Sequence, residues 1–326
     1  MMKKINWAVI GTAEIAKTKV IPGMVLANNC NLYAIAGRKS EKIAEFQKLF
    51  GFEKAYLNYD EVLHDPLVDA VYIPLSNDLH KEWVIKAARA KKHILCEKPL
   101  VKTASEVQEL IDICQAEGVF LMEAFAYLHS PIINDLLDRV HDGVIGKIGA
   151  IETKFHIPKQ SPEDIRSRKE TLGGAQYDVG CYNVSLILKL MKQMPINVVA
   201  HGKMTETGVD EFCHATLKFN DGVIATSACS MLLDPTPPYR IDECYIHGDL
   251  GTIEFMIPYN ESGELSYKIK KAGETEEIKM HVPNNYQLEI EQFGRCVVGL
   301  ETPRVTNEFS YKVSQVQDEI FAAIGY

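Results

Sequence analysis

The sequence predicts an α/β protein. Its first domain is expected to hold a parallel sheet with crossover helices, and its second to be an α+β domain with a large open, mainly antiparallel sheet. The 326 residues correspond to about two domains of ordinary size. Residues 1–124 alternate short apolar runs with helical patterns, which is typical of βαβ units. After about residue 146 apolar residues recur at every second position, which indicates strands.

The first domain is expected to contain five strands joined by helices. Ser40 is placed to cap a helix that ends at Gly51 in the left-handed conformation. In a later helix Thr103 and Glu106 form a capping box, and Gly118 follows the last turn. The strands are predicted at residues 5–10, 31–36, 69–73, 93–96 and 119–122.

The second domain is predicted from alternation and from turns. Ile151, Thr153 and Phe155 alternate with polar neighbours, as in a strand with one buried face. Asn220-Asp221-Gly222 places a turn between two strand-like runs, and Gly248 and Gly251 punctuate another strand pair. We assign residues 1–124 to the first domain and 125–307 to the second. A helix over about 308–326 is expected and can pack back on the first domain.

The charge balance argues against a nucleic-acid partner. Lys and Arg number 35 and Asp and Glu 44, a formal net charge of −9, and no basic stripe occurs. No apolar run approaches the roughly 20 residues that span a bilayer. The amino terminus passes from Lys3 and Lys4 straight into a strand-like run, so no export signal is predicted.

The cysteines and histidines predict neither disulfides nor a metal site. The eight cysteines are scattered singly, with no CxxC pair, which fits a reducing cytoplasm. The ten histidines form no HExxH or Cys/His ligand spacing. We therefore expect a cytoplasmic protein without a bound metal.

A glycine-containing turn follows the first predicted strand and opens a helix. Its G-x-A-x-x-A pattern is close to a dinucleotide fingerprint, in which small residues let the backbone approach a pyrophosphate. Ala13 stands where the fingerprint has its second glycine, and a plain tight turn remains the alternative. The residues predicted to bind the cofactor here are Gly11, Thr12, Ala13, Glu14 and Ile15.

Two basic residues follow the second predicted strand. The carboxylate that usually binds the NAD ribose is absent there, and Arg38 and Lys39 stand in its place. Both side chains can neutralise the 2′-phosphate of NADP, so the sequence favours NADP, with NAD as the alternative. A solvated loop, or an Arg stacked on the adenine of either cofactor, explains the same residues.

Polar residues also follow the strand predicted at 93–96. Glu97-Lys98-Pro99 lies at the carboxyl end of this strand, where ligands bind in open α/β sheets. A lysine there exchanges a proton with a substrate oxygen if burial lowers its pKa towards neutrality. The alternative interpretation is that Glu97 and Lys98 form an ion pair on the surface.

Together these motifs resemble the Gfo/Idh/MocA oxidoreductase family, and the likeness covers nearly the whole chain. Within the family, the sequence is most similar to the branch of dimeric dihydrodiol dehydrogenase and NADP-dependent xylose dehydrogenase. The motifs occur in the family's order: Gly11-Thr12-Ala13-Glu14-Ile15-Ala16, Asn77-Asp78-Leu79-His80, Cys96-Glu97-Lys98-Pro99-Leu100, Met122-Glu123-Ala124-Phe125 and Gly173-Gly174-Ala175-Gln176-Tyr177-Asp178-Val179-Gly180.

The resemblance implies a role for each motif. Lys98 would be the proton donor and acceptor, aimed by Pro99, and Asp178 and Tyr182, four residues apart, would lie on one helical face. A tyrosine at position 182, where inositol dehydrogenase-like relatives have histidine, makes cyclitol oxidation less expected. Further cofactor contacts are assigned to Leu75, Ser76, Asn77, His80, Glu97 and Lys98. Substrate contacts are assigned to Lys98, Glu123, Tyr127, His156, Asp178 and Tyr182.

The sequence departs from its relatives at one position near the expected site. Leu128 follows Tyr127 where an arginine is common, which argues against an anionic or heavily hydroxylated substrate. His129 and Arg168 are further candidates for the substrate pocket, although residues of these types more often serve packing or form a solvated surface.

The function expected from these observations is hydride transfer between NADP and a secondary alcohol or carbonyl of a sugar-like or diol substrate. One alternative is an enzyme that recycles a bound cofactor, like NAD-dependent glycosidases or glucose-fructose oxidoreductase. Another is a regulatory module that binds a dinucleotide without catalysis. A homodimer formed through the second domain's sheet is also expected.

Overall fold

The computed structural model of the protein describes residues 4–234, 236, 239–256 and 259–326. Residues 1–3, which carry part of the prediction about an export signal, lie outside this set. The chain divides into two compact units, Met1–His129 with Pro283–Ser310 and Ser130–Val282 with Tyr311–Tyr326. Over the described ranges, no helix combines the length and apolar character needed to cross a membrane.

The first unit is built on a six-stranded parallel sheet, which confirms the predicted fold class. The strand order is β3-β2-β1-β4-β5-β6. The third strand is short and mostly exposed, so it lacks the apolar run from which the other strands were predicted. The strands are β1 Ile5–Ile10, β2 Cys30–Ala36, β3 Lys54–Tyr56, β4 Ala70–Ile73, β5 His93–Glu97 and β6 Leu121–Ala124.

The helices between these strands begin and end largely where the sequence signals indicate. Gly51 (φ 74°) and Gly118 (φ 70°) end their helices in the left-handed conformation, and the Thr103 side chain caps its helix at the Glu106 amide. The predicted cap at Ser40 is wrong, because Lys39 is the cap residue and the Ser40 hydroxyl turns to Glu41 instead. The helices are α1 Ile21–Leu26, α2 Ser40–Phe50, α3 Tyr59–Leu63, α4 His80–Arg89 and α5 Ala104–Glu117, with a π-helical turn Ala16–Val20 before α1 and 3-10 turns Asn77–Leu79 and Ala126–His129.

The second unit contains an eight-stranded sheet in the order β14-β13-β12-β11-β7-β10-β9-β8. Every neighbouring pair is antiparallel except β7 with β10, so the mainly antiparallel sheet is confirmed. The strands are β7 Ile148–Pro158, β8 Asn197–Met204, β9 Asp210–Lys218, β10 Ile224–Leu233, β11 Ile241–Gly248, β12 Thr252–Phe255, β13 Gly263–Lys271 and β14 Glu274–Val282.

Two helices pack against this sheet. They are α6 Pro131–His141 and α7 Cys181–Met191, and a π-helical turn Gln176–Gly180 leads into α7. Ile151, Thr153 and Phe155 of β7 are buried and the residues between them are not, as the alternation predicts. The turn at Asn220–Gly222 joins β9 and β10 where predicted, with Gly222 at φ 87°.

After β14 the chain returns to the first unit. Helix α8 (Asn285–Val297) packs on α1, and its Phe293 ring lies 4.6 Å from the fully buried ring of Trp7. Burial of each such side chain stabilises the fold by about 1.5–3 kcal/mol. A Cβ on Gly23 of α1 would lie 2.7 Å from Cβ of Tyr286, so only glycine allows this close contact. The final helix, α9 (Asn307–Ile324), spans the division between the units at Ser310.

Candidate active site

The turn after β1 is shaped to admit a ligand's phosphate groups. Gly11 has φ +123°, a conformation that favours glycine, and a Cβ there would lie 3.0 Å from Leu75 Cδ2. Thr12 and Ala13 are half-buried, and the helix begins at Glu14, so its first amides face the turn. This geometry fits the pyrophosphate of a dinucleotide at a helix N-terminus.

The end of β2 lies against the same turn. A Cβ on Gly37 would lie 3.0 Å from Ile43 Cγ1 and 3.2 Å from Thr12 Cγ2, so the strand end and the turn are in close contact. Arg38 and Lys39 follow directly, and both side chains are exposed. Across the described ranges, neither forms an ion pair or a side-chain hydrogen bond. The residues present therefore fit a cofactor that carries a 2′-phosphate.

Lys98 lies at the carboxyl end of β5 and is half-buried. The peptide bond to Pro99 is cis. The preceding residue, Glu97, is buried and accepts a 2.7 Å hydrogen bond from the Tyr72 hydroxyl of β4. The carboxyl group beside the lysine is thus fixed by a neighbouring strand.

Glu123, at the end of β6, supports the chain after Lys98. Its buried Oε1 accepts a 2.9 Å hydrogen bond from the Leu100 amide. Burial raises the pKa of Glu123 to about 7, although the Ser310 hydroxyl, the Leu100 amide and the charge of Lys98 each favour the ionised form. Lys98 is therefore close enough to Glu123 for the two charges to interact.

His80 lies between two loops of this edge of the sheet. Its ring is fully buried, with Nδ1 2.9 Å from the Pro99 carbonyl and Nε2 3.0 Å from the Leu75 carbonyl. Burial lowers its pKa, against the opposing effect of these carbonyl oxygens. Both ring nitrogens face backbone oxygens, and the neutral ring donates from one of them, so His80 hydrogen-bonds the loop after β4 or the loop after β5. Leu75, Ser76 and Asn77 are half-buried in the first of these loops.

These residues meet at one edge of the sheet. The carboxyl ends of β1, β2, β4 and β5 carry, in order, the Gly11–Ala13 turn, Arg38 with Lys39, the Leu75–Asn77 loop, and Lys98. In a parallel sheet all carboxyl ends lie at the same edge, which is where open α/β sheets bind ligands.

In the second unit, Asp178 is paired with an arginine that sequence reasoning did not identify. Arg166 Nε lies 2.7 Å from Asp178 Oδ2, and its Nη1 lies 3.2 Å from Asp164. The charge of Asp178, followed by that of Asp164, raises the pKa of Arg166. Arg168, the arginine considered from sequence, is half-buried and forms no side-chain ion pair among the residues described. Nothing in the local sequence distinguishes the two arginines.

Tyr182 lies in a group of aromatic rings. Its ring is buried 5.4 Å from the Phe155 ring and 5.0 Å from the Tyr259 ring, and its hydroxyl accepts a 3.2 Å hydrogen bond from Asn260 Nδ2. Asp178 lies on the π-helical turn and Tyr182 on α7, so the interval between them is not the regular α-helix that their spacing predicts. Tyr259 and Asn260 were missed because their contact with α7 is set by the tertiary fold.

Three other residues were predicted to contact the substrate: His156 lies in the second unit, and Tyr127 and His129 lie in the first. His156 alternates with Phe155 on β7, so it points to the opposite sheet face from Tyr182 and contacts Ser230 Oγ at 2.8 Å. Tyr127 is fully buried, 6.3 Å from the Phe125 ring. His129 is buried with Nε2 2.9 Å from Gln292 Oε1, and burial lowers its pKa to about 4. Tyr127 and His129 are thus enclosed by their own unit, whereas His156 is half-buried on the other face of the sheet.

No group of three or more His, Cys, Asp or Glu residues that could hold a metal ion occurs within the described part of the chain. The eight cysteines all lie in the described part of the chain, and none of them forms a disulfide.

Family models match both units. Residues 5–125 match the oxidoreductase family with an NAD-binding Rossmann fold, and residues 133–254 match the Gfo/Idh/MocA C-terminal domain. Together the two matches cover most of the chain.

Individual proteins extend this likeness over the full length. The chain is 34% identical to a D-xylose 1-dehydrogenase (NADP⁺) of Haloferax volcanii, covering 97% of this chain and 96% of the relative. It is 32% identical to a trans-1,2-dihydrobenzene-1,2-diol dehydrogenase of Xenopus laevis over 66% of each protein. Its fold matches the crystal structure of KijD10, a 3-ketoreductase of Actinomadura kijaniata in complex with NADP and TDP-benzene. The TM-score is 0.91 and the sequence identity 27%, and the match covers 99% of this chain and 98% of KijD10. The predicted family and branch are confirmed, and the chain belongs to the Gfo/Idh/MocA oxidoreductase family.

Proposed function

We propose that this NADP-dependent oxidoreductase transfers a hydride between the nicotinamide ring and a secondary alcohol, or its carbonyl form, in a sugar-like or diol substrate. The observation that carries the proposal is the order of groups along one edge of the parallel sheet. A glycine-containing turn, two exposed basic residues and a half-buried lysine follow β1, β2 and β5 there. One surface therefore carries the groups that bind the pyrophosphate and the 2′-phosphate together with the group that transfers the proton.

Backbone amides and two positively charged side chains hold the cofactor. The amides around Gly11–Ile15 bind the pyrophosphate, and Arg38 and Lys39 bind the 2′-phosphate. The loop Leu75–Asn77 and the Glu97–Lys98 pair border the remainder of the nucleotide. NADP supplies the hydride donor or acceptor when bound.

Lys98 handles the proton that accompanies hydride transfer. During oxidation its neutral amine accepts the proton of the substrate hydroxyl, and during reduction its ammonium returns a proton to the substrate oxygen. Glu97 and Glu123 fix the chain on either side of it through Tyr72 and the Leu100 amide. A lysine held at a constant position keeps the donor within reach of the reacting oxygen.

Asp178 and Tyr182 are proposed to contact the substrate. The Arg166 guanidinium holds the Asp178 carboxylate at 2.7 Å, and the Asn260 amide holds the Tyr182 hydroxyl at 3.2 Å. Both oxygens therefore occupy defined positions for hydrogen bonds with sugar or diol hydroxyls. His156 and Tyr127 are left out of this set because of their placement.

The substrate class is supported by the names of the relatives. One acts on D-xylose with NADP⁺ and another on trans-1,2-dihydrobenzene-1,2-diol. The absence of an arginine at position 128 favours an uncharged substrate over an anionic one. We also propose that the protein is homodimeric and cytoplasmic, in keeping with eight cysteines that form no disulfide.

The direct test is an oxidation assay with NADP⁺ and a panel of D-xylose, other aldoses, a cyclitol and a trans-dihydrodiol. Deuterium at the reacting carbon should appear on the nicotinamide ring of the product cofactor. D-Xylose, another aldose or the diol is expected to be oxidised, and the cyclitol is expected to react most slowly. Absence of deuterium transfer from every substrate, with the cofactor bound, would contradict the proposal. Purification with nucleotide firmly attached would favour an enzyme that recycles its cofactor.

A further inference from the structure

The turn after β12 is attached to helix α7 at two consecutive residues. Tyr259 Oη donates to Asn183 Oδ1 at 3.2 Å, and the next residue, Asn260, donates from Nδ2 to Tyr182 Oη at 3.2 Å. Tyr182 and Asn183 are themselves consecutive on α7. Two neighbouring residues of the turn therefore bind two neighbouring residues of the helix.

The turn is fixed from its other side by a charged pair. The Tyr259 amide donates to Asp242 Oδ2 at 2.7 Å, and Arg240 Nε donates to Asp242 Oδ1 at 2.8 Å. The Arg240 guanidinium also lies over the Phe155 ring, 4.5 Å from its centroid. Since Phe155 and Tyr259 are both ring neighbours of Tyr182, the same group of residues fixes the plane of that ring.

The conformation of Asn260 suits this role. Its φ is +66°, in the left-handed region that asparagine adopts more readily than most residues. Its Oδ1 is buried without a hydrogen-bond partner among the described residues. A buried amide oxygen without a partner costs free energy, so packing alone does not explain an asparagine here.

We propose that Asn260 is a positioning residue for the reaction, whose amide fixes the Tyr182 hydroxyl in the orientation that the substrate oxygen requires. This proposal rests on the proposed function of Tyr182. A hydrogen bond donated to Tyr182 Oη from the turn fixes the direction of the remaining lone pair and of the O–H. The sequence predicted Tyr182 but not this partner, which lies 78 residues further along the chain.

Two substitutions distinguish the effect of the Asn260 side-chain amide from the effect of its left-handed backbone conformation. Asn260→Gly keeps the left-handed conformation without strain and removes the amide. Asn260→Asp keeps the shape but replaces the donor by an oxygen that cannot donate when ionised. Ala272→Gly is the matched control, because Ala272 also has a positive φ (52°) and lies in the turn between β13 and β14.

Each Asn260 variant is expected to lower kcat about tenfold with the substrate that turns over fastest in the panel, while the Kd for NADPH stays unchanged. In a Tyr182→Phe background the same substitutions should cause no further loss, because the oxygen that they act on is absent. Ala272→Gly should behave as wild type. An equal loss in both backgrounds, or full kcat in both Asn260 variants, would overturn the proposal.

A second readout does not depend on turnover. In protein labelled with ¹³C at tyrosine Cζ, the Tyr182 resonance is identified by its loss in Tyr182→Phe. It should shift in Asn260→Asp and remain in place in Ala272→Gly. An unmoved resonance would overturn the proposal even if the function of Lys98 is correct. Conversely, if the resonance shifts but a Lys98 variant is fully active, the positioning of Tyr182 by Asn260 stands and the proposed function is wrong.

Discussion

At the scale of single residues, Lys98 depends on buried neighbours that come from other strands. The sequence marks Glu97 and Lys98 as charged residues after an apolar run, which is sufficient to predict a group at the ligand-binding edge. It does not reveal that Tyr72 binds Glu97 or that Glu123 binds the Leu100 amide, since both contacts join residues more than 20 positions apart. The sequence was therefore sufficient to name Lys98 as a candidate, but not to identify the contacts that fix the chain on either side of it.

Arg38 is predicted to distinguish the two nicotinamide cofactors. Its exposed side chain is free of ion-pair partners in the described ranges, so it is available to a 2′-phosphate. Arg38→Ser should weaken NADPH binding about 10- to 100-fold, the effect of one or two charge-assisted hydrogen bonds, and leave NADH binding unchanged. A fluorescence titration with each cofactor measures this, with Lys42→Ser as the control. Equal weakening of both cofactors would indicate stacking on the adenine.

Glu123 is predicted to make stability fall as pH rises. Its pKa rises from an ordinary 4.5 to about 7 on folding because the carboxyl is buried, so the folded protein retains a proton that the unfolded chain has lost. This contribution is fully present below pH 4.5 and is lost by about pH 7, which amounts to about 3 kcal/mol. Glu123→Gln should reduce the drop in melting temperature between pH 5 and pH 8, measured by calorimetry. The exposed Glu206→Gln should show the same drop as wild type, and an undiminished drop in Glu123→Gln would refute the assignment.

At the scale of elements, local signals were predictable and backbone irregularities were not. The Thr103 cap and the glycine ends at Gly51 and Gly118 depend on neighbouring residues alone, and all three are found. The π-helical turn before α7 depends instead on Asp210 of β9, whose Oδ2 accepts a 2.8 Å hydrogen bond from the Gln176 amide. Because that contact crosses 34 residues, the spacing of Asp178 and Tyr182 indicated a helix but not its irregular start.

Gly174 is predicted to be essential for this helix start. It has φ +108°, and a Cβ there would collide with Asp210 Oδ1. Asp210 is buried and already bound to the Gln176 amide, so it has no room to move. Gly263 has a similar φ of +101° with nothing within 4 Å of an added Cβ, which makes it the matched control. Gly174→Ala should lower the free energy of unfolding by about 1–3 kcal/mol more than Gly263→Ala. Equal losses in chemical denaturation would show that the collision is relieved.

At the scale of the whole molecule, the compact units do not follow the order of the chain. Residues 283–307, assigned from sequence to the second domain, group with the first unit, where α8 covers Trp7. The first division falls at His129 rather than at residue 124. Helix periodicity predicts that a segment is helical and which face is apolar, but it does not identify the sheet against which that face packs. The two architectures were therefore predictable, while the return of the chain was not.

The sheet of the second unit is predicted to form the dimer interface. Cross-strand register aligns Val199, Thr216, Thr226, Glu152 and Tyr245 in one row, on the face opposite the buried Thr153. Thr226→Arg places a charge at the centre of this row and should convert a dimer to a monomer in light scattering at micromolar concentration. Thr207→Arg, in the exposed turn before β9, should remain dimeric. A monomeric wild-type protein would contradict the prediction.

The central claim is that Lys98 transfers the proton in an NADP-dependent hydride transfer, and the most direct measurement is turnover by Lys98→Ala alongside its NADPH affinity. We expect kcat to fall by about 10²–10⁴-fold, the contribution of a general acid–base group, while NADPH binding stays within about twofold of wild type. Lys102→Ala, an exposed lysine in the same segment, should retain activity. Near-normal turnover by Lys98→Ala would contradict the account and assign the proton transfer to another group.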